Sequence, residues 1–122
     1  MEKVAMTILP TGEFQLFKFN DKNCLELFQN RVGGLIQPVD LPVQGWNMVV
    51  NEEGKIQELP YNEYATHLWE SNYGLFTDAI LGTVVLTSIE VGDEGETIGL
   101  TLDDVANISK VISDYKKQWG EE

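Results

Sequence analysis

A single histidine, His67, has Glu63 four residues before it and Glu70 three residues after it, a spacing that places all three on one face if the segment is helical. An imidazole between two carboxylates could take a hard or borderline divalent ion, but dedicated sites draw their ligands from more than one element. We read the trio as the solvated face of an amphipathic helix and assign no metal. The only cysteine, Cys24, could act as a nucleophile with His67 as its base, yet the two belong to different elements and no nucleophile elbow surrounds either. Burial in the core is the expected fate of Cys24. The run Asp93-Glu94-Gly95-Glu96 is acidic but lacks the spaced ligands and closing glutamate of a calcium loop, so an exposed connection is expected. Gly33-Gly34 is not followed by the Lys-Ser/Thr of a phosphate loop, and no GxGxxG occurs. No carboxylate pair stands out for glycoside chemistry. No catalytic constellation emerges; neither enzymatic activity nor a cofactor is expected.

Charge says more. The 122 residues carry 8 Lys+Arg against 20 Asp+Glu, a formal net charge of −12. Between Lys55 and Lys110 there is no cation at all, while ten carboxylates fall there: Glu58, Glu63, Glu70, Asp78, Glu90, Asp93, Glu94, Glu96, Asp103 and Asp104. Such a field repels phosphate backbones and anionic lipid heads, which disfavours direct nucleic-acid or membrane binding and leaves a basic protein surface as the natural partner. The pointed version is an imitation of DNA that occupies a DNA-binding cleft; the plain version is that acidity keeps a small protein soluble.

The elements that must position these groups follow from pattern. With 43% hydrophobic residues, the chain can bury a core as one domain over residues 1–122. One cysteine cannot form an internal disulfide. The N-terminus lacks the basic and apolar regions of a signal peptide, and no apolar run is long enough to span a membrane, so a cytoplasmic protein is expected. Val4 to Leu9 and Glu13 to Phe19, separated by Pro10-Thr11-Gly12, predict a hairpin. Leu25, Phe28 and Val32 predict a helix capped at Asn20-Asp21 and ended by Gly33-Gly34. Pro38 and Pro42 confine the stretch from Leu35 to Val43 to an edge strand or an extended loop.

Trp46 to Val50 and Ile56 to Leu59 read as a second hairpin, with Gly54 at a positive-φ position. Asn62 should cap a short helix whose inward face is Tyr61, Ala65 and Leu68 and which closes at Asn72-Tyr73-Gly74. The nearly continuous apolar run from Ala79 to Ile89 suits a central strand covered on both faces, with a bulge or close backbone approach at Gly82. Thr101 with Asp104 opens a last helix. There Val105, Ile108, Ile112, Tyr115 and Trp119 form one stripe, which either packs on the sheet or joins two copies as a homodimer. Together these predict an α+β fold: a mixed, mainly antiparallel sheet with helices packed on one face.

Among the aromatics, Trp46 and Trp119 are assigned to the core. Tyr64 and Tyr73 fall off the inward face of the short helix and are assigned as exposed contact residues.

Three blocks carry a resemblance: Val32-Gly33-Gly34-Leu35-Ile36-Gln37-Pro38-Val39; then Val50-Asn51-Glu52-Glu53-Gly54-Lys55-Ile56 running into Leu59-Pro60-Tyr61-Asn62-Glu63-Tyr64-Ala65-Thr66; then Asp78-Ala79-Ile80-Leu81-Gly82-Thr83-Val84-Val85. Over roughly residues 30–90 the chain resembles a small family of unknown function seen in bacteriophage genomes and some bacterial chromosomes; the flanking hairpin and last helix carry no part of it. The resemblance implies a phage or mobile-element setting and, by analogy, a protein that binds and inhibits a host or defence component. It also implies that Asn51, Glu52, Gly54, Asn62, Thr66, Asp78 and Gly82 would line any shared site. The leading expectation is a non-enzymatic protein that engages a basic host or defence protein through the carboxylates between Glu58 and Asp104, with Glu58, Glu63, Glu70 and Asp78 named as binding residues and Tyr64 and Tyr73 as contacts. The alternative is a binder of a small signalling nucleotide through Asn51, Asn62 and Thr66, which the scarcity of Arg and Lys opposes.

Overall fold

The structure, a computed structural model, describes residues 2–119. Its element order is β1 (Lys3–Ile8), β2 (Phe14–Phe19), α1 (Cys24–Val32), β3 (Ile36–Leu41), β4 (Trp46–Asn51), α2 (Glu63–Tyr73), β5 (Val84–Ser88) and α3 (Leu102–Gln118). The strands form one five-stranded sheet in the order β2-β1-β5-β4-β3. Every pairing is antiparallel, so the α+β class holds and the sheet is antiparallel throughout.

The helices do not share one face. Along the central strands successive side chains point to opposite sides. Met6, Ile8, Met48, Val84 and Leu86 pack with Tyr64, Ala65 and Leu68 of α2 and with Ile108 and Ile112 of α3. Ala5, Phe17, Phe19, Val49 and Val85 pack with Phe28 and Val32 of α1. Because Val84, Val85 and Leu86 are all fully buried, β5 needs cover on both sides, and α1 supplies the second cover. A Phe17, Phe19 and Phe28 cluster with tilted and edge-on rings anchors it.

Local chemistry sets the boundaries. Gly33 ends α1 at φ +83, the left-handed conformation glycine adopts at little cost. The start of α1 differs from expectation: the cap position is Asn23, without a side-chain cap bond, because Asn20 instead uses its Oδ1 to accept from the backbone N–H groups of Lys22 and Asn23. Asn62 caps α2 by accepting from Ala65 N–H at 3.0 Å. Thr101 and Asp104 form a reciprocal capping box on α3. The Trp46 indole, 2% exposed, donates to Asp104 at 3.2 Å and ties the sheet to the start of α3.

The second hairpin is formed differently. β4 pairs with β3, the edge strand containing Pro38, and not with Ile56 to Leu59, which runs as consecutive turns. Gly54 is not in the left-handed region; Glu58 is, at φ 54. The preceding bonds explain the turn: Gly54 N–H reaches back to Asn51 O and Leu59 N–H to Gly54 O, folding the segment on itself before it can pair. Gly82, at φ +89, has the Leu59 side chain 2.8 Å from where a Cβ would stand. The close neighbour is therefore a side chain, and the backbone conformation independently favours glycine.

The α3 stripe is used inside the fold. Ile108 and Ile112 are buried and Val105 and Tyr115 pack against the same core, while Trp119 at the helix end is 63% exposed. The two residues at the centre of the stripe thus face the sheet of their own chain, the packing that is one of its two expected uses. Among the described residues no helix is long and apolar enough to cross a membrane.

Candidate functional site

Two concavities merit comparison. The smaller, about 150 Å³, lies where the turns after β4 meet the segment before β5, with Glu52, Glu53, Lys55, Asp78 and Leu81 among its walls. Parts of the three sequence blocks meet here: Gln37, Val50 to Ile56 and Asp78 to Leu81 line it, while Asn62, Thr66 and Gly82 lie outside the lining. Asn51, 5% exposed, donates to Val32 O and to Gln57 Oε1 and accepts from Glu53 N–H. Asn62, fully buried, donates to Ile8 O at 3.1 Å and Gly82 O at 2.9 Å while capping α2. Thr66 Oγ1 accepts from Ile80 N–H at 2.9 Å. These three residues, expected to line a ligand site, instead spend their polar atoms joining β1, α1, α2 and the approach to β5. The reason is general: buried backbone groups outside regular pairing need partners, and short amide and hydroxyl side chains supply them.

Asp78 forms an ion pair with Lys55 and accepts from Ala79 N–H. Partial burial pushes the Asp78 carboxyl up, but Lys55 and the Ala79 N–H outweigh it and hold the group below the usual carboxylate range. The small cavity therefore carries its own countercharge.

The larger concavity, a groove of about 690 Å³, runs beside β3. Trp69 and Tyr73 of α2 form one wall with ring centroids 4.3 Å apart. Asp40 from β3 and Glu90 and Glu96 from the loop after β5 supply carboxylates, and no Lys or Arg lines it among the described residues. Its wall is fixed by bonds that hold both rings: Tyr73 OH donates to Asp40 O at 2.6 Å, and Trp69 Nε1 donates to Thr77 Oγ1 at 2.8 Å. Asp40 accepts from Asn47 Nδ2 at 2.8 Å, and Glu96 closes its own loop by accepting from Glu94 N–H. Carboxylates and aromatic rings are the groups that attract a guanidinium or ammonium, through charge and through the ring quadrupoles.

The other expected site residues disperse. Tyr73 lies in the groove and is 42% exposed, as assigned. Tyr64 is only 4% exposed, packed edge-on to Tyr115 in the core, because α2 starts at Glu63 and turns Tyr64 inward beside Ala65 and Leu68. Tyr61, expected inward, precedes the helix and is 54% exposed. Glu58 is exposed in the turns, away from the groove lining.

Glu63 accepts from Tyr115 OH at 3.0 Å and Glu70 from Phe76 N–H at 2.9 Å, while His67 stacks on Tyr115 at 4.6 Å. Burial lowers the His67 pKa, and Glu70 opposes this only partly. Among the described residues no group of three or more His, Cys, Asp or Glu is placed to hold a metal ion. Cys24 is half-buried against the α1-side core, and His67 rides on a helix packed on the opposite face, so the two are separated by the sheet. Burial pushes the Cys24 thiol up, a shift reduced by its Thr97 hydrogen bond.

Sequence reading misses Asp40 altogether and counts Trp69 only among the aromatics that could supply a pocket or an interface, without assigning it to the site. The available signal was weak: Asp40 sits between two prolines on an edge strand, and Trp69 falls one position from the inward-facing Leu68.

The fold and groove define an acidic α+β domain with an aromatic, cation-free cleft along one edge of its sheet. The chain belongs to the family described as Domain of unknown function (DUF3846), whose model matches residues 2–119. The match extends well beyond the central blocks to take in the N-terminal hairpin and α3. No curated protein and no solved structure matches the chain.

Proposed function

We propose that this protein is a non-enzymatic accessory protein, of phage or mobile-element type, that binds and inhibits a host or defence protein by engaging its basic surface. The observation that carries the reading is the groove: Asp40, Glu90 and Glu96 beside the Trp69 and Tyr73 rings, with no cation in its lining. The wider charge distribution supports it, since among the described residues Asp78 is the one carboxylate of the ten between Lys55 and Lys110 that has an ion-pair partner. An arginine-rich loop or a DNA-binding cleft is the chemistry that fits, so imitation of DNA remains the pointed form of the proposal. The nucleotide-binding alternative loses its support because Asn51, Asn62 and Thr66 are engaged within the fold.

Purified protein used as bait in bacterial lysate tests the reading. A basic protein recovered at low salt, lost at high salt and lost again with an Asp40→Asn, Glu90→Gln bait is the expected result. Recovery that is indifferent to both salt and these substitutions would overturn it.

A further inference from the structure

The two edges of the sheet are finished differently. β3 carries Pro38, which has no N–H to offer, and is followed by Pro42, the usual protection of an exposed edge. β2, at the other end of the strand order, has six consecutive residues, Phe14 to Phe19, with no proline and Lys18 as its one charge. Phe14 is 38% and Leu16 53% exposed.

The register shows which backbone groups that edge presents. Leu9 N–H donates to Glu13 O, in the same register that pairs Thr7 with Gln15, Ala5 with Phe17 and Lys3 with Phe19. In an antiparallel ladder bonded pairs alternate with unbonded ones, so the odd-numbered residues of β2 bond to β1 and the N–H and C=O groups of Phe14, Leu16 and Lys18 point outward. Val4 confirms the alternation from the other strand: its carbonyl accepts from Leu100 N–H, away from β2.

This edge is complementary to itself. A two-fold axis perpendicular to the sheet and passing beside Leu16 sets Leu16 opposite Leu16 and Phe14 opposite Lys18 of the second copy, all in outward-facing bonded pairs. Every outward group from Phe14 to Lys18 then finds a partner, and each Lys18 ammonium lies beside a Phe14 ring. Electrostatics permits the approach despite the net charge of −12, because residues 1–32 carry four cations (Lys3, Lys18, Lys22, Arg31) and four carboxylates (Glu2, Glu13, Asp21, Glu26). The excess negative charge belongs to the remainder of the chain.

We infer that two copies of this chain associate through β2, joining their sheets edge to edge in the register Leu16 to Leu16. The inference is independent of the basic-partner reading and has the opposite salt response: screening the residual repulsion between two acidic copies strengthens the dimer. The register gives a specific test in the full chain carrying Cys24→Ser. Facing bonded residues stand with Cα atoms about 5.5 Å apart, within disulfide reach, so Leu16→Cys should cross-link the dimer on mild oxidation. Gln15→Cys, directed to the opposite face and set across from Phe17, should cross-link many-fold less. Sedimentation velocity should show a concentration-dependent dimer that Leu16→Lys, a change at an exposed side chain, converts to monomer with an unchanged melting temperature. A monomer at every concentration, or equal cross-linking at positions 15 and 16, would overturn the inference.

Discussion

The two concavities are each lined by three carboxylates and differ in what stands beside them. In the small one, Lys55 answers Asp78 and the buried side chain of Asn51 braces the surrounding turns. In the larger one, Asp40, Glu90 and Glu96 stand beside two aromatic rings with no cation among them. The difference teaches that equal local acidity can carry a countercharge in one place and aromatic rings in another, and that only the fold tells the two apart. Of the residues expected to line a shared site, Asn51, Glu52, Gly54 and Asp78 belong to the first region, and Asn51, Asn62 and Thr66 hold the fold together.

The largest expected effect breaks the scaffold of the small concavity. Asn62→Ala leaves Ile8 O, Gly82 O and Ala65 N–H without their side-chain partner in a fully buried position. At about 1–3 kcal/mol for each unsatisfied buried group, and allowing for partial relaxation, the loss should be about 3 kcal/mol. That corresponds to a fall in melting temperature of roughly 10–15 °C, read by calorimetry. If Asn62 were instead a ligand residue standing free in the apo protein, its removal would cost little stability.

Next in size is the groove wall. Tyr73→Phe removes the bond to Asp40 O and should cost about 1 kcal/mol in chemical denaturation, while loosening the wall enough to weaken binding of a basic ligand. Lys55→Met should cost less than about 1 kcal/mol, as exposed ion pairs do, yet it leaves all three carboxylates of the small concavity without a countercharge, as in the large one, though with no aromatic ring beside them. A basic peptide that gains a second site on this variant would sharpen the comparison directly.

The smallest effects are pH-dependent. The His67 pKa is lowered in the folded chain, so the unfolded chain binds the proton more readily; stability from this group is complete above its ordinary value and falls as pH drops below about 6.5. His67→Gln should flatten that part of the stability profile. Asp78 is also depressed, so its contribution is present above the ordinary carboxylate value and is lost at lower pH; Asp78→Asn should remove that acid limb.

Much of this architecture is visible in local pattern. Pro10-Thr11-Gly12, the Asn62 cap, the Thr101 and Asp104 box and the edge position of the Pro38 strand each express short-range chemistry, and each appears as read. The uninterrupted apolar run around Val84-Val85-Leu86 already required cover on both sides of a central strand, which is incompatible with placing all helices on one face. Resolving that conflict needs the destination of α1, a long-range fact absent from its own periodicity. The second hairpin does not form because bonds to Asn51 and Gly54 fold the segment into successive turns, which a glycine between two apolar runs does not by itself announce. The groove was not legible because Asp40, Trp69 and Glu90 are separated in sequence and come together only through the β3-β4-β5 pairing and the packing of α2 beside it.

The central claim, that the cation-free groove and not acidity at large recognises a basic partner, is tested most directly by titrating an arginine-rich peptide into isotopically labelled protein and following its amide and indole N–H resonances. The account requires shifts centred on Trp69, Tyr73, Asp40 and Glu90, abolished by high salt and by the Asp40→Asn, Glu90→Gln double substitution. Shifts centred on Glu58, Glu63 and Glu70, or a response that survives the double substitution, would contradict it.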